Sequence, residues 1–372
     1  MSVEDVFRFA DDLGPYKIVH IHRPSLRLKA VVAVDNIACG PAIGGVRMAP
    51  DVSTEEAFRL ARAMTLKNAA AGLAHGGGKS VIYGDPDMPI AEKERLIRGF
   101  AAAIADLTEY IPGPDMGTDE VAMGWVHDEI GRSVGLPREV GGIPLDEIGA
   151  TGFGLAAAID VAARHIGLEL RGARVVVQGF GSVGKHAARF LAEKGAVLVA
   201  ASDSQGMIVD TAGLDTAALA ALKAKGRPLK EHSRGRSASA DSLIDVPCDI
   251  WIPAARPDAV NSGNVARLNA RMVAQGANIP CTLEAEQALA ARGILVLPDF
   301  IANAGGVICA AVEYHGGTQV QAFASIDEKI RANMKSVLDQ AERTGSLPRA
   351  AAVSLAKDRV YRAMRVRRWE PR

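Results

Sequence analysis

The stretch Val175-Val176-Val177-Gln178-Gly179-Phe180-Gly181-Ser182-Val183-Gly184 joins a run of β-formers to a G-x-G-x-x-G pattern, then to a helical segment reaching about Lys194. Glycine turns are common, and by itself the pattern signals only a tight loop. Between a strand and a helix it signals more. Gly179 permits the turn, Gly181 lets the backbone approach a pyrophosphate, and Gly184 lets the helix pack close on the strand. Ser182 and Val183 open the helix, whose unpaired N–H groups and dipole favour phosphate. Asp203 follows at the end of the next strand-like run, at the distance expected of an acid that binds the adenine-ribose hydroxyls. Its charge would repel a 2′-phosphate, so NAD is the expected cofactor. The small neighbours Ser202 and Ser204 are compatible with NAD or NADP.

Working outward, a small-residue helix (Gly154 to His165) precedes the strand Arg174 to Gln178. Apolar runs then recur at Val197–Ser202, Ile250–Ala254, Met272–Ala274 and Ile294–Leu297, separated by helix-like stretches. Strands alternating with helices imply a parallel sheet with right-handed crossovers. Residues 148–332 therefore read as a doubly wound Rossmann domain. With 372 residues the chain exceeds a single core. Residues 1–147 read as a separate α/β domain, and the helical residues 333–372 are expected to return to it. The fold class is thus α/β, in two domains.

In the first half a valine-rich strand, Lys29 to Asp35, leads into a glycine-rich loop, Gly40 to Arg47. Ser53 with Glu56 three residues on forms a capping box for the next helix, with Thr54 as a rival cap. A second glycine-rich loop, Gly72 to Lys79, enters the strand Ser80 to Tyr83, which Asp85-Pro86 ends. A helix from Ile90 to Leu107 and a loop around Pro112 to Asp119 follow. In the capped helix Ala57, Leu60, Ala61, Met64 and Ala71 share one face, and Lys67 falls on it, while Arg59 and Arg62 lie off it. A lysine on a core-facing stripe either snorkels to solvent or grips an anion such as a substrate carboxylate. Gly76-Gly77-Gly78-Lys79 lacks the first glycine of the Walker spacing; three glycines instead suit a backbone passing close to a ligand, with Lys79 as the reactive group. Asp115, between Pro114 and Met116, reads by itself as a turn residue.

Lysine plus arginine balance aspartate plus glutamate at 43 each, which gives no electrostatic steering toward nucleic acid or membrane. The basic run Arg365, Arg367, Arg368 is short and suits a solvated helix end. Cys39, Cys248, Cys281 and Cys309 lack paired spacing, so neither disulfides nor zinc are indicated, and a reduced cytoplasmic protein is expected. No metal is expected: His20 with His22, and Glu313 with His315, are isolated pairs.

These pieces together resemble the glutamate/leucine/phenylalanine/valine dehydrogenase family. The likeness runs, in family order, from Gly40-Pro41-Ala42-Ile43-Gly44-Gly45-Val46-Arg47 through Met64-Thr65-Leu66-Lys67-Asn68, Gly76 to Lys79 and Pro114-Asp115-Met116-Gly117-Thr118. It continues through Ala150 to Gly154, the glycine fingerprint, Gln275-Gly276-Ala277-Asn278 and Asn303-Ala304-Gly305-Gly306-Val307. The resemblance implies an NAD(P)-dependent enzyme that interconverts an L-amino acid with its 2-oxo acid and ammonia, assembled as a homo-oligomer. It implies that Lys67, helped by backbone at Gly44 and Gly45, binds the α-carboxylate. Lys79, its pKa lowered by burial and a neighbouring cation, would activate water, and Asp115 would shuttle protons at the amino nitrogen. Thr151 and Asn278 would contact the cofactor and Asn303 the substrate's polar end, with domain closure excluding water.

Glutamate-specific relatives carry a lysine where this chain has Ile43 and a serine where it has Ala310, both serving a distal carboxylate. Their loss, with Gly-Gly-Gly-Lys-Ser-Val-Ile, places the pocket nearer the leucine/valine/phenylalanine branch, whereas Gly142-Ile143-Pro144 to Thr151 has the flavour of the glutamate branch. A 2-hydroxy-acid dehydrogenase would need a His–acid or Arg pair in the cleft, and His127-Asp128, the only adjacent pair of that sort in the first half, reads as a solvated helix face. A cofactor-binding regulator without activity would not keep Lys67, Lys79 and Asp115 together.

Overall fold

The computed structural model describes residues 7–367. The chain divides into two compact units. One holds the described residues up to Leu145, with Val307–Ala322 and the chain from Val353 onward; the other holds Asp146–Gly306 and Phe323–Ala352.

The first unit is built on strands β1 (Lys17–Arg23), β2 (Leu28–Asn36), β3 (Ala42–Ala49), β4 (Gly76–Tyr83) and β5 (Tyr110–Pro114), in the order β1-β2-β4-β3-β5. β2 runs antiparallel to β1 and β4, and β3 runs parallel to β4 and β5. The side-chain alternation of β2 serves two cores. Ala30, Val32 and Val34 meet Ile97 and Phe100 of helix α2 (Ile90–Ala103), with Met123 of α3 (Glu120–Ile130) in the same cluster. Val31 and Ala33 join Ala57 and Ala61 of helix α1 (Thr54–Ala70) on the other face.

Of the stretches expected as glycine-rich loops, Gly40 to Arg47 is largely strand β3, and the second half of Gly72 to Lys79 is the start of β4. Within the strands the glycines serve close approach, whereas Gly72, at φ +65°, does turn the chain. A Cβ on Gly77 would lie 2.0 Å from the backbone nitrogen of Thr65 in α1, and one on Gly44 would lie 1.6 Å from the carbonyl oxygen of Gly78. The helix and the neighbouring strand therefore press backbone against backbone.

Ser53 caps α1, accepting from the N–H of Glu56 at 3.1 Å, but the Glu56 carboxylate turns away to Arg47. The buried face of α1 is Ala57, Ala61, Thr65 and Asn68, rotated from the apolar stripe read in the sequence; Leu60, Met64 and Lys67 are half-buried. Polar residues occupy that face because partners await them. Thr65 Oγ1 donates to Asp35 at 2.6 Å, and Asn68 Nδ2 donates to the carbonyl of Gly76 at 2.7 Å. Arg62, expected in solvent, grips the fully buried Asp35 at 2.8 Å and reaches Asp11 at 2.6 Å.

The second unit contains helix α4 (Ala150–His165), β6 (Arg174–Gln178), α5 (Ser182–Glu193), β7 (Val197–Asp203), β8 (Gly206–Val209), α6 (Thr216–Ala224), β9 (Arg236–Ala238) and β10 (Ile250–Pro253). β11 (Met272–Ala274), α7 (Leu283–Ala291) and β12 (Leu295–Leu297) complete the alternation. Helices α8 (Gly305–Tyr314), α9 (Gln319–Thr344) and α10 (Pro348–Val366) follow. The sheet order is β12-β11-β10-β6-β7-β8-β9. It is parallel from β12 to β7, but β8 and β9 add an antiparallel edge that strand–helix alternation does not foretell. The chain reverses at Ser204-Gln205, where Asp203 pairs with Gly206 and its carboxylate accepts from the N–H of Gln205 at 2.9 Å. Val176, Val199, Trp251, Val273 and Leu289 lie in its core. Arg365 lies in the last turn of α10, and Arg368 lies outside the described residues. Among the described residues, no helix is long and apolar enough to cross a membrane.

Asp35 joins β2 to α1 through Arg62 and Thr65. Removing one partner of a buried ion pair strands the other, so Asp35→Ala should lower unfolding free energy by about 3 kcal/mol or more, read by chemical denaturation. A loss within error of zero would show that Asp11 alone satisfies Arg62.

Candidate active site

In the first unit, strand register assembles the chemistry. Ile43 lies opposite Gly77 on β4 and Ile111 on β5, and Gly45 opposite Gly113, so these residues share the face that α1 covers. Lys79 follows Gly77 by two and shares that face; Asp115 follows Gly113 by two, just past the end of β5. Lys79 is 3% exposed, and its ammonium donates to Asp115 Oδ2. Arg47 Nε donates to the other oxygen at 3.0 Å, while its Nη1 donates to Glu56 at 2.5 Å. Backbone fixes the aspartate further: its Oδ1 accepts from the N–H of Met116 at 2.7 Å, and its own N–H donates to Thr118 Oγ1 at 3.0 Å. A Cβ on Gly45 would lie 2.7 Å from Asp115 Oδ2, so glycine there leaves room for the carboxylate.

Burial pulls the pKa of Lys79 below the usual lysine range; Asp115 opposes this and Arg47 reinforces it. Burial pushes Asp115 up, but Lys79 and Arg47 outweigh it and hold the carboxyl below its ordinary value. The pair is therefore a carboxylate kept ionised beside an amine made easier to deprotonate, which suits proton transfer near neutral pH. The cation expected beside Lys79 is Arg47. Sequence reading gave it no role, because only the β3–β4 register brings it there.

Lys67 is half-buried in the last turn of α1. Ile43 is buried on β3 and Ala310 on α8. Glu313 and His315, on and just beyond the end of α8, do not act as a pair. Glu313 accepts from the N–H groups of Gly135, Leu136 and Ile143, whereas His315 Nε2 lies 3.1 Å from His75 Nε2. Among the described residues, no cluster of three or more His, Cys, Asp or Glu side chains could hold a metal ion.

In the second unit Gly179 turns the chain at φ +89°. A Cβ on Gly184 would lie 2.0 Å from the carbonyl oxygen of Gly179, which explains the glycine where α5 packs on the loop after β6. Gly181, the N-cap of α5, has no side-chain cap, and a Cβ there would meet nothing within 4 Å. Uncapped N–H groups facing open space fit a dinucleotide pyrophosphate. Ser182 Oγ donates to the carbonyl of Asp146 at 3.1 Å. Gly276 packs near Val183. Asn303 Nδ2 donates to Asn278 Oδ1 at 2.9 Å, so the structure brings these amides together, and Asn303 Oδ1 is buried without a partner. Thr151 lies in the first turn of α4, against Gly305. Asp203 is not the free carboxylate that the sequence suggested. Its Oδ2 accepts from Lys223 Nζ and the N–H of Leu229, each at 2.9 Å.

A chain carrying a dinucleotide fingerprint in one unit and a buried lysine–carboxylate pair in the other has the equipment of a nicotinamide-dependent oxidoreductase that moves protons at its substrate. Family comparison makes this specific. Residues 141–368 match the model described as Glutamate/Leucine/Phenylalanine/Valine dehydrogenase, and residues 20–132 match the one described as Glu/Leu/Phe/Val dehydrogenase, dimerisation domain. The chain belongs to this family and is an NAD(P)-dependent amino-acid dehydrogenase. It is 38% identical over 358 residues to the glutamate dehydrogenase of Aeropyrum pernix, covering 90% of this chain and 85% of that one. It is 34% identical over 362 residues to the NADP(+)-dependent glutamate dehydrogenase of Pyrobaculum calidifontis, covering 90% and 85%. Its structure resembles the hetero-hexameric glutamate dehydrogenase of Thermus thermophilus in a Leu-bound form, with TM-score 0.85, 31% identity and coverage of 96% and 91%. The L-tryptophan dehydrogenase of Nostoc punctiforme gives TM-score 0.75, 27% identity and coverage of 96% and 98%. The likeness in whole-chain sequence thus runs to proteins named glutamate dehydrogenase, not to the leucine/valine/phenylalanine branch that the pocket positions suggested.

Arg47 depresses the pKa of both Lys79 and Asp115. Arg47→Met should raise both, so the amine stays protonated to higher pH and the acid-side limb of the kcat/KM profile moves upward. A profile that falls in height without moving would show that Arg47 only holds the fold.

Proposed function

We propose that this dehydrogenase oxidises an L-amino acid with an apolar side chain, reversibly, to the 2-oxo acid and ammonia. The observation that carries the side-chain class is the pair Ile43 and Ala310, both buried and both in the first unit with Lys79 and Asp115. Four arginines of that unit are already engaged. Arg47 is held by Asp115 and Glu56, Arg62 by Asp35 and Asp11, and Arg132 and Arg359 by backbone carbonyls. A second carboxylate brought to such a pocket would lose hydration without gaining a partner, a penalty of several kcal/mol. An aliphatic or aromatic side chain gains about 25 cal/mol for each Å2 of apolar surface it buries.

The bound nicotinamide supplies the acceptor for the hydride that leaves the substrate Cα. Lys67 binds the α-carboxylate. Lys79, in its neutral form, takes a proton from the water whose oxygen becomes the 2-oxo oxygen. Asp115 exchanges protons with the amino nitrogen as ammonia departs. Burial of Lys79 and the Arg47 charge favour the neutral amine. Glutamate is the second reading, supported by the names of the relatives at 34–38% identity.

A panel of L-amino acids assayed for NADH and NADPH formation tests the proposal. Leucine, valine, isoleucine or phenylalanine should exceed glutamate in kcat/KM by about a hundredfold, the equivalent of roughly 3 kcal/mol. Ile43→Lys combined with Ala310→Ser should shift the preference toward glutamate. An unmodified enzyme that prefers glutamate overturns the apolar reading and leaves the roles of Lys79 and Asp115 standing.

We also propose that the chain forms a homo-oligomer. The family model matching residues 20–132 is described as a dimerisation domain, and β1 presents an outer edge with exposed residues at Lys17, His20, His22 and Arg23. Light scattering of the purified protein should give a mass that is a multiple of 39.0 kDa. A monomer at micromolar concentration would exclude a stable assembly.

A further inference from the structure

Ile279 stands at φ +50°, in the left-handed region that β-branched residues rarely adopt, and it is 55% exposed, so side-chain packing does not impose that conformation. Its backbone is held from both sides. The N–H donates to Asp299 Oδ2 at 2.8 Å, and the carbonyl accepts from the N–H of Asp258 at 3.0 Å. Asp258 itself stands at φ +51°. The chain beyond Ile279 is pinned as well. Val260 N–H donates to the carbonyl of Pro280 at 2.9 Å, and Thr282 N–H donates to that of Val260 at 3.0 Å. A change of φ at Ile279 is therefore taken up on the other side, at Asn278.

Two loops meet here at the carboxyl ends of parallel strands, where α/β sheets bind their ligands. Asn278 follows β11, and Asn303 follows β12. A Cβ on Gly276 would lie 3.2 Å from Val183 of α5, and one on Gly179 would lie 2.8 Å from Ala255 in the loop that leads to Asp258. Both loops thus adjoin the glycine fingerprint. Asn303 Nδ2 donates to Asn278 Oδ1 at 2.9 Å. The Oδ1 of Asn303, a residue only 4% exposed, meets no donor among the described residues, and a buried acceptor left unpaired is open to a ligand. Asp299 touches both loops. Its carboxylate holds Ile279, and its carbonyl accepts from the N–H of Asn303 at 2.7 Å. It is buried, with Arg349 Nη1 2.9 Å from its Oδ1, and Arg349 in turn grips the buried Glu286 at 2.7 Å. The carboxylate is braced on the side away from Ile279.

We propose that Asp299, braced by Arg349, is a positioning residue: it locks Ile279 in the left-handed conformation and so fixes where the Asn278 and Asn303 amides stand for the bound cofactor and amino acid. Glycine at 279 would reach the same φ without cost, whereas isoleucine needs the clamp. The inference rests on the reading of Asn278 and Asn303 as ligand-facing amides. It is independent of which amino acid is oxidised and of which dinucleotide is used.

Steady-state oxidation of L-glutamate and L-leucine by the full chain, with NAD and with NADP, tests this, with thermal unfolding read in parallel. Asp299→Ala should lower kcat/KM by about a hundredfold for the combination that the unmodified enzyme turns over best, the effect of amides displaced by about 1 Å. Adding Ile279→Gly should recover about tenfold of that loss, because glycine adopts a positive φ unaided. Ile279→Gly alone should stay within about threefold of the unmodified enzyme. Ile279→Pro removes the N–H and forces φ to about −65°, at an exposed position that leaves the Arg349 ion pairs untouched. It should reproduce the loss with little change in unfolding temperature, and it decides the matter if Asp299→Ala does not fold. A purely structural role for Asp299 gives a loss that Ile279→Gly does not restore. That outcome, or near-normal turnover in Ile279→Pro, overturns the proposal. Asn278→Ala and Asn303→Ala check the reading beneath it: near-normal turnover in both would refute the ligand-facing amides, and the proposal with them, whatever the Asp299 variants do.

Discussion

The first unit depends on a place where no side chain stands. At Gly77 the backbone of β4 meets the backbone of α1 with no room for a Cβ. That approach lets α1 lie low on the sheet, so that Thr65 and Asn68 reach polar groups of β2 and β4 and Glu56 reaches Arg47. It also buries Lys79 two residues further on. A buried ammonium is unfavourable unless a partner stands beside it, and β5 delivers Asp115 to that point. The buried lysine–aspartate pair follows from backbone packing.

Three aspartates illustrate how one side chain takes different roles according to its donors. Asp35 is fully buried, and burial raises its carboxyl above the ordinary value even with Arg62 and Thr65 bonded to it. It ties a strand to a helix. Asp115 is held between two cations yet stands where Gly45 leaves space beside it, which suits exchange of a proton. Asp203 is occupied by Lys223 and two backbone N–H groups, and so orders a turn and a helix at the end of β7.

Likeness over the whole chain and likeness at a few positions answer different questions. Identity of 34–38% to proteins named glutamate dehydrogenase fixes the family. Side-chain selection depends on the groups at the far end of the pocket, where one unpaired charge outweighs many conserved scaffold contacts.

The sequence by itself determined the β6–α5 fingerprint, most strands of the second unit to within a residue or two, and the Ser53 cap. These are local matters: glycine spacing, β-branched runs and capping chemistry act over a few residues. It read Gly40 to Arg47 and the whole of Gly72 to Lys79 as loops, where β3 and the start of β4 take up much of them, because a glycine that admits a neighbouring backbone looks the same in sequence as one that turns the chain. It missed the antiparallel edge of β8 and β9, which depends on a two-residue reversal after Asp203. Only tertiary structure could decide the partners of charged groups. Arg47 meets Asp115 across 68 residues and Lys223 meets Asp203 across 20, and such pairings are set by strand register and helix placement, which no local pattern encodes.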